Sequence, residues 1–171
     1  MSFGNSVVLG SLADDARALD AAAFSQRHAP AFLLCNLALD SAGTNPRTHT
    51  LSLAGPLIET SPSMIFSLLR RPQTRFDFIS VGRHENNDIY MPAPSVSRFH
   101  AYLKQQGADW VVQDCGSQNG TRLNDQLVPR QREGAAVRVV DGDRLRFGDV
   151  QATFISAAPL LVLLRKVAGV R

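Results

Sequence analysis

Residues 99–124 read F-H-A-Y-L-K-Q-Q-G-A-D-W-V-V-Q-D-C-G-S-Q-N-G-T-R-L-N. Three short segments, Phe99–Gln105, Trp110–Asp114 and Thr121–Leu123, are separated by turn residues at Gly107 and from Gly116 to Gly120. Short apolar segments bounded by Gly, Asn and Asp predict strands joined by tight turns.

The same texture continues in both directions. Upstream, Met64–Leu69, Phe76–Gly82 and Asp88–Tyr90 are candidate strands. Downstream, Ala136–Val139, Asp143–Phe147 and Val150–Ser156 follow, punctuated by Gly142 and Gly148. Leu145 and Phe147 fall on one face of their strand, Arg144 and Arg146 on the other, which is the period-2 alternation of a half-buried strand. Many short strands with regular turns predict a mainly β fold, a sandwich or barrel.

The flanks differ. Residues 11–28 predict one helix, with Ser11-Leu12-Ala13-Asp14 as a capping box and Leu12, Ala16, Leu19, Ala23 and Phe24 at helical spacing. Pro30 ends it, and Ala31–Leu39 reads as a buried strand. Asp40–Thr48 is a loop by composition, and Thr50–Ile58 a further strand interrupted by Gly55-Pro56. Residues 158–168 predict a terminal helix with Arg165 and Lys166 near its negative end. The expected organisation is an N-terminal α/β extension over 1–60, a β module over 61–157 and a C-terminal helix over 158–171. The extension either packs on the sandwich or forms a small separate unit.

Composition narrows the function. The net charge of +3 is spread along 171 residues without a basic block, which argues against nucleic acid as partner. The two cysteines, Cys35 and Cys115, stand apart from any Cys/His cluster, so structural zinc is not expected and two free thiols is the plainer reading. The start lacks a basic n-region, and the apolar runs Ala31–Leu39 and Pro159–Leu164 fall short of the roughly 20 residues a membrane span needs. The expectation is a cytoplasmic protein without a membrane partner.

The polar residues between strands carry the chemistry. Gly82-Arg83 closes one strand, Ser97-Arg98-Phe99-His100 opens another, and Gly116-Ser117-Gln118-Asn119-Gly120-Thr121 turns after Asp114. Loops gathered at one end would present a guanidinium, a hydroxyl and a carboxamide together, a set suited to a phosphate.

V-G-R-H-E-N-N-D-I (81–89), P-S-V-S-R-F-H-A (94–101), W-V-V-Q-D-C-G-S-Q-N-G-T-R-L-N (110–124) and D-G-D-R-L-R-F-G (141–148) together resemble a forkhead-associated domain, in order and at the expected separations, over roughly residues 63–156. The resemblance implies a sandwich of two largely antiparallel sheets whose loops at one end bind phosphothreonine peptides. It implies Arg83 as the main phosphate ligand, Ser97 as the second, Arg98 beside them and Asn119 on the peptide backbone. Gly82, His100 and Gly120 would shape the loops. The family's Asn-Gly pair is Asn124-Asp125 here, and Asp also tolerates a left-handed turn. The implied function is a non-enzymatic adaptor that needs no cofactor and whose partner is a phosphothreonine-bearing protein, a Ser/Thr kinase or its substrate.

Two other readings compete. A phosphorylation-independent scaffold would use the N-terminal segment or the C-terminal helix and leave the loops incidental. A hydrolase would use Ser97, His100 and Asp114, but no G-x-S-x-G elbow is present, and Ser97 and His100 sit too close along one segment for easy nucleophile–base geometry.

Overall fold

In a computed structural model, residues 6–7, 9–35, 37–38, 47–48 and 64–167 are described. In chain order the elements are β1 (Ser6–Val7), α1 (Leu9–Ala18), α2 (Ala21–Arg27), β2 (Ala31–Cys35), β3 (Leu37–Ala38), β4 (Arg47–Thr48), β5 (Met64–Ser67), β6 (Ile79–Gly82) and β7 (Ile89–Tyr90). They continue as β8 (Ala101–Gln106), β9 (Asp109–Asp114), β10 (Thr121–Leu123), β11 (Gln126–Leu127), β12 (Val137–Val139), β13 (Arg144–Phe147), β14 (Val150–Ser156) and α3 (Ala157–Val167).

Two sheets face each other. The larger has seven strands in the order β1-β5-β2-β14-β13-β10-β11, the smaller five in the order β12-β9-β8-β6-β7. Among the described strands the pairings are antiparallel except β6 with β7, and an isolated parallel bridge joins Asp114 and Arg130. The fold is therefore the mainly β sandwich expected from the sequence, with one parallel pair. Between the sheets lie Leu33, Phe66, Val81, Leu103, Val112, Leu145, Phe147 and Phe154.

The helices form a third layer on the outer face of the larger sheet. There Leu12, Ala16 and Phe24 meet Leu160, Leu161 and Leu164 of α3 over Phe32, Leu34, Ile65 and Ile155. This explains why β2 reads as an unbroken apolar run. Leu33 points into the sandwich and Phe32 and Leu34 into the helical layer, so no position along β2 meets water. Fully burying one such side chain contributes about 1.5–3 kcal/mol.

β2 pairs with β5 on one side and with β14 on the other. Residues 31–35 thus supply an interior strand of the larger sheet, and side chains of α1 and α2 pack on its outer face.

Three local expectations are corrected. The single helix over 11–28 is two helices, because Asp20 caps the second by accepting from the Ala23 amide at 2.8 Å. The first ends where Arg165 of α3 donates from Nε to the Ala16 carbonyl (2.9 Å) and from Nη2 to the Leu19 carbonyl (2.8 Å). Arg165 stands in the last turn of α3, as expected, and also satisfies carbonyls at the end of α1. The helix also starts earlier than expected, since α1 already begins at Leu9, two residues before Ser11. Part of the predicted loop over 40–48 is strand, as β4 pairs with β3, while the strand predicted over 50–58 lies outside the described residues.

Candidate functional site

Gly82 ends β6 under the chain segment that leads into β8. A Cβ on Gly82 would lie 2.3 Å from the Arg98 carbonyl oxygen, so only glycine permits the approach. That closeness lets the Arg83 amide donate to the Ser97 carbonyl (2.9 Å) and the His84 amide to the Arg98 carbonyl (3.2 Å). Buried Asn87 completes the clasp, with Nδ2 donating to the carbonyls of His84 and Arg98, both at 2.7 Å. Loops 83–88 and 95–99 are therefore held as one unit.

The third loop joins the same unit. The Gln118 amide donates to Ser97 Oγ at 2.9 Å, and Asn119 Nδ2 donates to the Ser95 carbonyl at 2.8 Å. Arg83 Nε donates to the Val96 carbonyl at 2.9 Å. Arg83, Ser97 and Asn119 thus all anchor on residues 95–97, and the structure brings these three together at one end of the sandwich. Arg83 and Asn119 are exposed and Ser97 half-buried. With Nε occupied, the Nη groups of Arg83 have no partner among the described residues, so its planar donor fork is open to an acceptor.

His100 braces this arrangement from below and is fully buried. Its Nδ1 accepts from the Ser97 amide at 2.9 Å, so Nε2 carries the proton and donates to the Gly120 carbonyl at 3.1 Å. Burial pulls its pKa below the usual value near 6.5, against the opposing effects of the Gly120 carbonyl and Asp114. The ring stays neutral and links the Ser97 loop to the Gly120 turn.

Asp114, also fully buried, organises that turn. Its Oδ1 accepts from the amides of Gly116 (2.8 Å) and Ser117 (2.9 Å), and its Oδ2 from the hydroxyls of Ser117 (2.6 Å) and Thr121 (2.7 Å). Burial alone would raise its pKa; the donors from Ser117, Thr121 and Gly116 outweigh burial and hold it below the usual carboxylate range. Gly120, at φ 79°, closes the turn.

The hydrolase reading fails on these contacts. Both nitrogens of His100 are engaged with main-chain groups, Asp114 is saturated by the turn, and neither forms the hydrogen bonds of a Ser-His-Asp relay. Burial pushes the nearby Cys115 thiol up to about 12, which keeps it protonated near neutral pH.

Asn124 sits away from the loop cluster. With Asp125 it makes a two-residue hairpin turn at φ 49° and 69°, and its side chain bonds Asp143 and the Arg144 amide. Arg98 follows Ser97 directly and, with His84, lines a cleft whose wall does not include Arg83 or Ser97. Sequence reasoning missed Ser95 and Asn87 and gave Asp114 no part in the turn. Ser95 receives Asn119, and its carbonyl presses so near Gly148 that a Cβ there would stand 2.3 Å away. The signal for Asn87 was available, as an amide inside the quoted 81–89 stretch.

The family model for the FHA (forkhead-associated) domain matches residues 79–148, the span from β6 to the turn after β13. These residues form an FHA domain. Among curated proteins similar to the chain are the glycogen accumulation regulator GarA of Mycolicibacterium smegmatis, 35% identical over 52% of this chain and 49% of its own. An oxoglutarate dehydrogenase inhibitor of Corynebacterium diphtheriae is 36% identical over 52% and 54%. The transcriptional regulatory protein EmbR of Mycobacterium tuberculosis is 36% identical over 43% and 18%. The chain thus spans about half the length of the first two and far less of EmbR. A solved FHA domain of CT664 from Chlamydia trachomatis aligns over 74% of this chain and 96% of its own, with 16% identity and a TM-score of 0.48.

Proposed function

We propose that this chain reads phosphothreonine and acts as an adaptor in Ser/Thr kinase signalling. The observation that carries the reading is the shared anchoring of Arg83, Ser97 and Asn119 on residues 95–97. Three chemically different donors are held on one rigid rim with the Arg83 fork unspent.

A phosphate ester carries about −1.5 to −2 charges near neutral pH, and the Arg83 guanidinium is the group to meet it. The Ser97 hydroxyl, accepting from Gln118, retains its own proton to donate to a phosphate oxygen. Asn119 uses one N–H on Ser95, leaving its carbonyl and second N–H for a peptide main chain. No step of this reading needs a cofactor. The module comprises residues 61–157 with β2 as an integral strand, and the helices support it from the outer face. Its partner is a phosphothreonine-bearing protein, either a Ser/Thr kinase or a substrate of one. The names of the regulators it resembles fit a protein that acts by binding.

The test is calorimetry with a phosphothreonine peptide library, with phosphoserine and unmodified controls. Binding should require the phosphate and fall at least about 100-fold in Arg83→Ala, the scale of losing a bidentate charge-assisted pair. Equal binding of bare peptides, or full affinity in Arg83→Ala, overturns the reading in favour of a phosphate-independent scaffold.

A further inference from the structure

A second cationic cleft opens beside the phosphate rim. It has a volume of about 890 Å³ and is walled by Arg71, Arg75 and Arg98, with His84, Phe76 and Phe99. The hydrogen-bonded pair of segments 83–84 and 97–98 separates it from the rim. Arg83 and Ser97 lie off the cleft; the residues that follow each of them, His84 and Arg98, line it.

The walls are fixed in advance. Arg71 Nη1 donates to the Glu85 carbonyl at 2.7 Å, and the Arg71 amide to Asp88 Oδ1 at 2.7 Å. Thr74 Oγ1 donates to the same oxygen at 3.1 Å, while Ser80 donates to Oδ2 from both amide and hydroxyl at 2.8 Å. Asp88 is wholly buried and saturated, so it staples loop 68–78 to the β6–β7 loop without facing the cavity. Glu85 stands nearby but is committed there only through its carbonyl. Arg75 and Arg98 have no carboxylate partner among the described residues. Phe76 is 57% exposed and Phe99 41%, and such apolar walls weaken solvent screening of charge placed between them.

We infer that this cleft is a second anion subsite. It takes a carboxylate or a second phosphate carried by the same phosphothreonine peptide, a few residues from the first. An extended peptide advances about 3.3 Å per residue, so a segment seated on Arg83 reaches across the intervening ridge within a few positions. The inference rests on the phosphothreonine reading and deepens it: the partner segment is acidic or multiply phosphorylated.

The test is a double-mutant cycle by fluorescence anisotropy on the full chain. One peptide carries phosphothreonine alone; its derivatives carry a glutamate or a second phosphothreonine at each flanking position in turn. At one or more positions the added anion should raise wild-type affinity about three- to tenfold, more for phosphate than for glutamate, and less at high salt. In Arg75→Gln, whose side chain is exposed and holds no other element, the gain should vanish while the singly phosphorylated peptide binds as in wild type. Arg71→Gln should reduce the gain as well. Phosphate-dependent binding with no gain from any added anion overturns the subsite and leaves the primary reading standing. A gain that survives both substitutions also overturns it. No binding of any phosphopeptide overturns both.

Discussion

Replacing Asp114 with alanine should cost the domain about 2–4 kcal/mol, and the figure follows from its four donors. The Gly116 amide lies on an exposed residue and can turn to water, so its loss is cheap. The Ser117 amide, the Ser117 hydroxyl and the Thr121 hydroxyl belong to buried residues and lose their acceptor outright. Each such orphan costs about 1–3 kcal/mol. Against this, a buried carboxylate no longer has to be desolvated, which returns several kcal/mol. The offset is partial, which leaves a net loss on the order of 2–4 kcal/mol. Asp114→Asn keeps an acceptor for the two amides and should lose about half as much. Asp114→Ala also frees the turn that carries Gln118 and Asn119, so phosphopeptide affinity should fall about tenfold even where the domain remains folded. Urea unfolding measures the first effect and calorimetry the second. A variant within about 0.5 kcal/mol of wild type that binds normally would refute the assignment of this carboxylate as the organiser of the third loop.

Gly82→Ala forces a methyl against the Arg98 carbonyl at 2.3 Å and the Asn87 amide nitrogen at 2.7 Å, so it should destabilise by about 2–4 kcal/mol and shift the clasp between the first two loops; thermal unfolding checks this. Without peptide, stability should be steady above the usual histidine value near 6.5 and fall as pH drops through the lower folded pKa of His100. The sign follows because the unfolded chain takes up the proton first. His100→Gln, which can still accept from Ser97 and donate to Gly120, should flatten that part of the urea-unfolding pH profile; an unchanged slope would assign it to another group.

What was legible in the sequence was local. The strands from Thr121–Leu123 to Val150–Ser156 announce themselves by alternation and by glycines at their ends, and the structure keeps both of those ranges unchanged. The break between α1 and α2 was hidden because Asp20 sits within an apolar, helix-periodic run; its role as cap depends on the chain turning there, and Arg165, 149 residues beyond Ala16, helps enforce that turn. β11 was missed because two exposed residues, Gln126 and Leu127, carry no pattern. At the site, residue types and order pointed to Arg83, Ser97 and Asn119, but not to what fixes them. The Gln118–Ser97 and Asn119–Ser95 contacts join residues more than twenty apart, and no spacing rule reaches that far. Asp88 read as the start of a strand, since its donors are scattered from Arg71 to Ser80.

The place of β2 between β5 and β14 has a consequence for how the protein is made. As the nascent chain leaves the ribosome, Ala31–Cys35 emerges more than a hundred residues before Val150–Ser156, the strand that covers its second edge. Until then a strand of five apolar residues has one flank open, a template for a neighbour in the same polysome. A shortened gene product beginning after this segment would carry the opposite defect, a slot in the middle of a sheet that a strand from another molecule could fill.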